Sequence, residues 1–161
     1  MKQNPNFEPR RSKELRNPKL EKTGLDDLGF WTWGETALKE DALPAASTFP
    51  QNLEECTARF DEAVIRFAKR MRRSPVNDRL IGQLVGAGTS VGANFCEAGD
   101  SVSGRDFKKS IGVCRKESKE SMFFLRMSVV AEPSLAVDAR ELWREAKQLN
   151  LIFGSIWRKP L

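Results

Sequence analysis

Four basic side chains recur along one stretch of the sequence at spacings that place them on one side of a helix. They are Lys108, Arg115, Lys119 and Arg126. At about 100° per residue, all four fall roughly 80° to 120° from Phe107, while Asp106 and Glu117 fall at a similar angle on the other side. A row of ammonium and guanidinium groups can bind phosphates. The spacing leaves two interpretations open: a solvated flank whose charges pair with neighbouring helices, which is the usual role of a single basic helix, or a nucleic-acid contact.

A second group of bases, residues 69–73, stands near the end of the first apolar helical pattern. Its arginines, Arg70, Arg72 and Arg73, can act in two ways. They place positive charge at the negative end of the helix dipole, which stabilises the helix, or they contact phosphate. The sequence leaves both interpretations open.

The commonest catalytic side chain and the common phosphate-binding motifs are absent from this sequence. There is no histidine, the commonest general base and metal ligand, and no glycine-rich phosphate-binding motif. Glu97, Glu117 and Glu120 are carboxylates that could converge, but carboxylates on helices commonly serve as ion-pair or cap partners. We therefore predict no catalytic residues, no cofactor and no metal, and a protein that is not an enzyme.

The excess positive charge belongs to the C-terminal two thirds of the chain. The formal net charge is +5, while residues 1–22 carry an excess of four bases and residues 23–50 an excess of four acids. These two segments cancel, so the whole excess lies in residues 51–161. A positive surface favours acidic partners, nucleic acid first among them.

The sequence also indicates the compartment. No run approaches the ~20 apolar residues of a membrane span, and the first 22 residues lack the apolar stretch of a secretory signal. Cys56, Cys96 and Cys114 are odd in number and far apart in sequence, which predicts reduced thiols. We expect a cytoplasmic protein that does not enter a membrane.

Residues 1–50 show no sustained hydrophobic period and contain five prolines, so we predict a largely irregular extension. One segment of it nevertheless concentrates three aromatic rings, Phe30, Trp31 and Trp33. Two interpretations remain open. The rings dock on the chain's own bundle or on a neighbouring subunit, or they form a linear motif that binds another protein.

Residues 51–161 carry start and stop signals for helices. The first helix is predicted from about residue 52 to about 73, with Asn52 as N-cap and Glu55 in the capping-box position. Ser74-Pro75 starts a second helix, which runs to Ala98.

Ser103 with Asp106 caps a third helix, and Pro133-Ser134 separates it from a fourth. Four helices of roughly 20 to 28 residues joined by short corners predict an all-α fold, an up-down-up-down antiparallel four-helix bundle. The domain organisation is thus an extension over residues 1–50 and a bundle over residues 51–161.

Each predicted helix carries one apolar stripe that would face the core. In chain order the stripes are Leu53, Cys56, Phe60, Val64, Phe67 and Met71; Leu80, Leu84, Ala87, Val91, Phe95 and Ala98; Phe107, Ile111, Cys114, Ser118, Met122, Leu125 and Val129; and Leu135, Ala139, Leu142, Ala146, Leu149, Phe153 and Ile156. The aromatic residues of the bundle fall mostly on these stripes. We therefore expect phosphate recognition rather than base stacking.

The second helix also contains several glycines within its period, from Gly82 to Gly92. Each glycine weakens an isolated helix by about 1 kcal/mol. Their number predicts that another backbone approaches this helix closely.

Helices two and three carry a residue pattern that resembles a known family. The pattern is VGANFxEA over 91–98, SxxDF over 103–107, IGxCRKExKE over 111–120 and FLR over 124–126. It resembles the four-helix bundle proteins encoded in intervening sequences of bacterial large-subunit (23S) ribosomal RNA genes. That group includes the accessory variability determinants of diversity-generating retroelement reverse transcriptases. The similarity covers about residues 52–158, and residues 1–50 have no counterpart in it.

The resemblance implies a bundle that assembles as a ring, typically a homopentamer, whose positive surface binds RNA or an RNA–DNA intermediate. For the family members found in retroelements, the resemblance also implies binding to the reverse transcriptase. It supplies no catalytic residues. Four residues match its signature positions, and on physical grounds we expect them to satisfy helix ends and inter-helix polar contacts: Asn94, Glu97, Glu117 and Glu120.

Two functional hypotheses follow. The leading one is a non-enzymatic, oligomeric nucleic-acid-binding accessory protein that contacts phosphates and assists a reverse transcriptase. The alternative is a protein-interaction scaffold that uses the Phe30/Trp31/Trp33 segment and the bundle surface, without nucleic acid.

Overall fold

The computed structural model describes residues 52–160, which form helices and, within that range, no strand. The helices are α1 (Leu53–Arg70), α2 (Pro75–Gly99), α3 (Gly104–Ala131) and α4 (Ala136–Arg158), with a 3-10 turn over Pro133–Leu135 before α4. The predicted all-α class and the number of helices are confirmed. The prediction for residues 1–50, including Phe30, Trp31 and Trp33, lies outside the described residues.

Side-chain caps start the first three helices where the sequence predicts them. Asn52 Oδ1 accepts the Glu55 N–H at 3.0 Å, and Ser74 Oγ accepts the Asn77 N–H at 3.1 Å. Ser103 Oγ likewise accepts the Asp106 N–H at 3.2 Å. Each cap satisfies a backbone donor that has no partner inside its helix.

Only one of the two hydrogen bonds of the capping box predicted at the start of α1 forms, the one from the Glu55 N–H to the Asn52 side chain. The Glu55 carboxylate binds Arg59 Nε at 2.7 Å and not the start of the helix. An arginine one turn ahead offers this carboxylate a charged partner, which competes with the neutral backbone N–H.

The end of α1 differs from the prediction. The helix ends at Arg70, because Met71 is extended with φ −68° and ψ 134°, and not at about residue 73. A proline disfavours helical geometry in the residue before it, and Ser74 is extended, at φ −162° and ψ 161°. The corner is held by Asn77 Nδ2, which donates to the Arg72 carbonyl at 2.8 Å.

Contacts between neighbouring helices indicate antiparallel pairs. Asp61 on α1 meets Gly92 on α2, and Val64, one turn later, meets Gly88. The α3–α4 pair behaves in the same way, since Gly112 meets Trp157 and Arg115 meets Gly154. As the residue number rises on one helix it falls on the other, so each pair runs in opposite directions.

The core is formed by the predicted apolar stripes. The large side chains that are fully buried within the described bundle are Phe60, Val64, Leu84, Val91, Ile111, Leu125 and Phe153. On α4 small residues also belong to the core, where Ala139 and Ala146 are fully buried. None of the described helices is both long and apolar enough to span a membrane.

Buried serines line the inner side of α3. Ser118, Ser121 and Ser128 have no exposed surface, and each hydroxyl donates to a carbonyl of its own helix at 2.9 Å. Because these hydroxyls are satisfied locally, small polar residues can lie inside the bundle without the cost of an unpaired donor.

The glycines of α2 fall into two groups. A Cβ at Gly88 would lie 2.7 Å from Val64 Cγ1, and one at Gly92 would overlap the Asp61 carboxylate. The close approach predicted from sequence is real at these two positions, but side chains of α1 make it and not a backbone. Gly82 and Gly86 face open space, with nothing within 4 Å of a Cβ, so no packing within the described chain requires them.

Candidate nucleic-acid interface

The predicted basic stripe of α3 lies along the side of that helix that meets α4. A Cβ at Gly154 would lie 3.6 Å from Arg115 Nε and 3.7 Å from a terminal nitrogen of Arg158. The two guanidinium groups therefore lie over the same point of the α4 backbone, at distances that an alanine Cβ would also accommodate as ordinary van der Waals contact. The sequence predicts the α3 stripe but not its neighbour on α4.

Asn150 fixes the two helices to each other beneath the stripe. Its Nδ2 donates to the Arg115 carbonyl at 2.6 Å and to Ser118 Oγ at 3.2 Å. A carbonyl inside α3 therefore accepts a hydrogen bond from α4 as well. Sequence reasoning missed Asn150, although an amide at a helix position flanked by core residues is the available signal.

We name the surface along these two helices the α3–α4 seam. It is made of Lys108, Gly112, Arg115, Lys119 and Arg126 on α3, and of Trp143, Lys147, Asn150, Gly154, Trp157 and Arg158 on α4. On a helical wheel the α4 members all fall within about 60° of Gly154. The seam thus joins the predicted stripe to two further bases that the sequence analysis did not include, Lys147 and Arg158.

The acidic residues in the first half of α4 lie away from the seam. Asp138, Glu141 and Glu145 fall at about 140° or more from Gly154 on the wheel, and Asp138 binds Arg70 of α1 at 2.8 Å. Within residues 52–160, Lys108, Arg115 and Lys119 form no ion pair with a carboxylate. This part of the stripe is therefore not the internally paired flank of the alternative interpretation.

Two tryptophans accompany these bases and are exceptions to the expectation that the aromatics of the bundle lie mostly on buried stripes. The side chain of Trp157 is 45% exposed and that of Trp143 is half-buried. Lys147 Nζ lies 5.3 Å from the centre of the Trp143 ring, within the range of a cation–π contact. Their wheel position, off the heptad stripe of α4, is a signal that could have identified them.

The second predicted basic group is divided by the structure. Arg70 binds Asp138, and Arg73 Nε binds Asp78 at 2.7 Å, whereas Arg72 is exposed. Because α1 ends at Arg70, Arg72 and Arg73 lie in the corner and not in the last helical turn. Two of the three arginines thus have carboxylate partners within the bundle, which favours a structural role for them.

The four signature residues are spread over α2 and α3. Asn94 Nδ2 donates to the Ser90 carbonyl of its own helix at 2.7 Å, and Glu97 is exposed. Glu117 and Glu120 are half-buried, and burial, with the nearby Glu120 charge, raises the pKa of Glu117. Among the described residues no three His, Cys, Asp or Glu side chains form a metal-binding group. The structural role of the four signature residues stays a prediction.

The sequence analysis also missed a carboxyl group inside the bundle. Asp61 Oδ2 accepts the Gly92 N–H at 3.1 Å, while its Oδ1 is buried without a hydrogen-bond partner in the described chain. Burial raises the pKa of Asp61 to about 7, against 3.8 for an ordinary aspartate, and the Gly92 hydrogen bond only partly opposes this. Asp61 is therefore an ionisable group that the folded state prefers to keep protonated.

Replacing Asp61 with asparagine is expected to stabilise the protein at pH 8 and to change little at pH 4. Between about pH 4 and pH 7 the unfolded state has lost this proton while the folded state keeps it, so the free energy of unfolding falls as the pH rises. After a reduction for partial solvent exposure, we expect Asp61→Asn to gain about 2 kcal/mol at pH 8. Denaturant unfolding at several pH values measures this.

The matched control is Glu62→Gln, which removes an exposed carboxylate on the same helix. It tests whether the effect belongs to the buried position of Asp61 or to the loss of any one acidic group of α1. A stability difference between wild type and Asp61→Asn that stays constant from pH 4 to pH 8 would show that Asp61 ionises normally in the folded state.

The described residues thus define a four-helix bundle with a basic seam that carries tryptophans. Its fold is similar to the crystal structure of a protein of unknown function from the S23 ribosomal protein family of Bacteroides thetaiotaomicron VPI-5482. The TM-score is 0.60 at 20% sequence identity, over 66% of this chain and 99% of that one. At this identity the similarity shows the fold alone. No protein-family model matches the chain, and no curated protein matches it in sequence.

Proposed function

We propose that this protein is a non-enzymatic nucleic-acid-binding accessory protein that contacts phosphates of RNA, or of an RNA–DNA intermediate, through the α3–α4 seam. The observation that carries the proposal is the grouping of bases from two helices on one surface, with the acids of α4 on the other side of that helix. Within the described residues Lys108, Arg115 and Lys119 form no ion pair with a carboxylate, and positive groups of this kind attract a polyanion. Phosphate contacts require no histidine, metal or cofactor.

The assembly is a further part of the proposal. We propose up-down-up-down bundles that associate into a homopentamer in the cytoplasm, as the family resemblance implies, and that assist a reverse transcriptase where one is present. Five copies would carry a formal charge of about +25, since each chain carries +5. Such a ring would bind nucleic acid with strong salt dependence and little sequence preference.

The test is a titration of a fluorescent structured RNA with the purified full chain, with mass measured by light scattering in the same samples. Four or more phosphate contacts predict a loss of affinity of about a hundredfold between about 50 and 200 mM salt. A folded protein that retains no RNA at the lower salt concentration would exclude the proposal. A monomeric mass with salt-sensitive binding would support the seam as the RNA-binding surface and contradict the homopentamer.

The second candidate is a protein-interaction scaffold, favoured by the concentration of Phe30, Trp31 and Trp33 in a polar extension. Deletion of residues 1–50 distinguishes the two functions. The nucleic-acid proposal predicts that RNA affinity survives the deletion, because the excess charge lies in residues 51–161. The scaffold predicts loss of a protein partner from a deletion variant that remains folded.

A further inference from the structure

Trp157 is seated at one end of the seam in a way that keeps its ring accessible. A Cβ at Gly112 would lie 3.3 Å from the ring nitrogen Nε1 and 3.6 Å from Cδ1. The pyrrole edge of the indole therefore rests against the α3 backbone, and the side chain is 45% exposed. A larger residue at position 112 would displace the ring, so the glycine and the tryptophan together define one exposed aromatic surface.

Two guanidinium groups lie beside Gly154, one helical turn before Trp157 on α4. Arg115 and Arg158 both approach the position that a Cβ of Gly154 would occupy, at 3.6 and 3.7 Å. Gly154 precedes Trp157 by three residues on α4, and Gly112 precedes Arg115 by three residues on α3. Residues at this spacing are neighbours on a helix surface. Both arginines are exposed, and like charges at this proximity favour an anion between or above them.

An exposed aromatic ring beside phosphate-binding groups distinguishes two forms of nucleic acid. In a duplex the base faces are stacked on each other and cannot reach a side chain on the protein surface. In a single strand each base has an accessible face, and stacking on an aromatic side chain contributes about 1–3 kcal/mol per base. Phosphate contacts alone would bind both forms.

We propose that the α3–α4 seam binds single-stranded nucleic acid, with one base stacked on Trp157 and the adjoining phosphate held by Arg115 and Arg158. This inference rests on the proposed function and adds the form of nucleic acid to it. It replaces the expectation from sequence that recognition involves phosphates without stacking.

The experiment compares a fluorescent single-stranded oligouridylate with a blunt RNA duplex of equal length, using the full chain and its variants. Trp157→Ala is expected to weaken single-strand binding about tenfold or more, with the duplex affinity and the salt slope unchanged. Trp157→Phe should retain most of the affinity, because the ring is kept. The control is Val137→Ala, which removes another exposed apolar side chain, 64% exposed, from the same helix, at about 100° from Gly154 on the wheel and so outside the seam.

Tryptophan fluorescence gives an independent readout that does not depend on the alanine variant folding. Oligouridylate should quench the wild-type emission, and Trp157→Phe should remove the part of that quenching due to Trp157, while Trp143 of the seam and the other tryptophans still emit. Equal affinity for single strand and duplex, with no effect of Trp157→Ala and no quenching, would overturn the inference and leave the proposed function standing. Absence of binding to either RNA at low salt would overturn both.

Discussion

Reversing the charge of the four α3 bases of the seam is expected to lower RNA affinity by at least about a hundredfold at moderate salt. The variant carries glutamate at Lys108, Arg115, Lys119 and Arg126. Each reversal removes an attractive contact and adds a repulsive one to the same phosphate backbone. The salt dependence should also become shallower, because fewer counterions are released on binding. Fluorescence anisotropy over a series of salt concentrations measures both quantities.

The control must separate the position of the charges from their number. Arg59, Arg66, Lys69 and Arg79 are exposed bases on α1 and α2, and their reversal to glutamate changes the formal charge equally, from +5 to −3. This second variant should lose much less affinity than the seam variant. Equal losses would show that the protein attracts RNA by net charge alone and would contradict the seam as the binding surface. Thermal unfolding of both variants confirms that each is folded.

The second large expected effect is on stability, from adding a single methyl group in the core. Gly88→Ala should destabilise the protein by about 2 kcal/mol, because the new Cβ would meet Val64 Cγ1 at 2.7 Å and overpacking a core commonly costs about 1–3 kcal/mol. Val64 has no exposed surface, so it cannot turn towards solvent. The better helix propensity of alanine recovers only part of this cost.

Gly86→Ala, two residues earlier on the same helix, is the matched control. Nothing lies within 4 Å of its Cβ position, so alanine should stabilise the protein by about 1 kcal/mol through helix propensity. Denaturant unfolding should therefore separate the two variants by about 3 kcal/mol. Loss of stability in both would mean that another surface covers the outer side of α2 in the assembled protein.

The start of each early helix and the stripes of the core could be predicted from sequence. The side chains of Asn52, Ser74 and Ser103 accept hydrogen bonds from backbone N–H groups three residues later. Each cap and its partner are therefore visible in the same short stretch of sequence. The apolar stripes follow from the helical period in the same way. The basic stripe of α3 belongs to this class, since all its members lie on one helix.

Predictions failed where two local interactions competed or where another helix decided the outcome. Glu55 had both a backbone N–H and Arg59 within reach, and the charged partner was preferred. The glycines of α2 look alike in sequence, yet Gly88 and Gly92 face α1 while Gly82 and Gly86 face open space. Asp61 gives no sign in sequence that a neighbouring helix buries one of its oxygens.

Within residues 52–160 the sequence by itself determined the four helices to within a few residues, the position of the core and the row of bases on α3, because these depend on contacts within about four residues. Only the tertiary structure decided which side of α4 meets that row. The rotation and register of two packed helices are set by side chains far apart in sequence, here by Gly112 against Trp157 and Asn150 against Arg115. That register brings Trp157 and Arg158 beside the bases of α3 and so forms the seam.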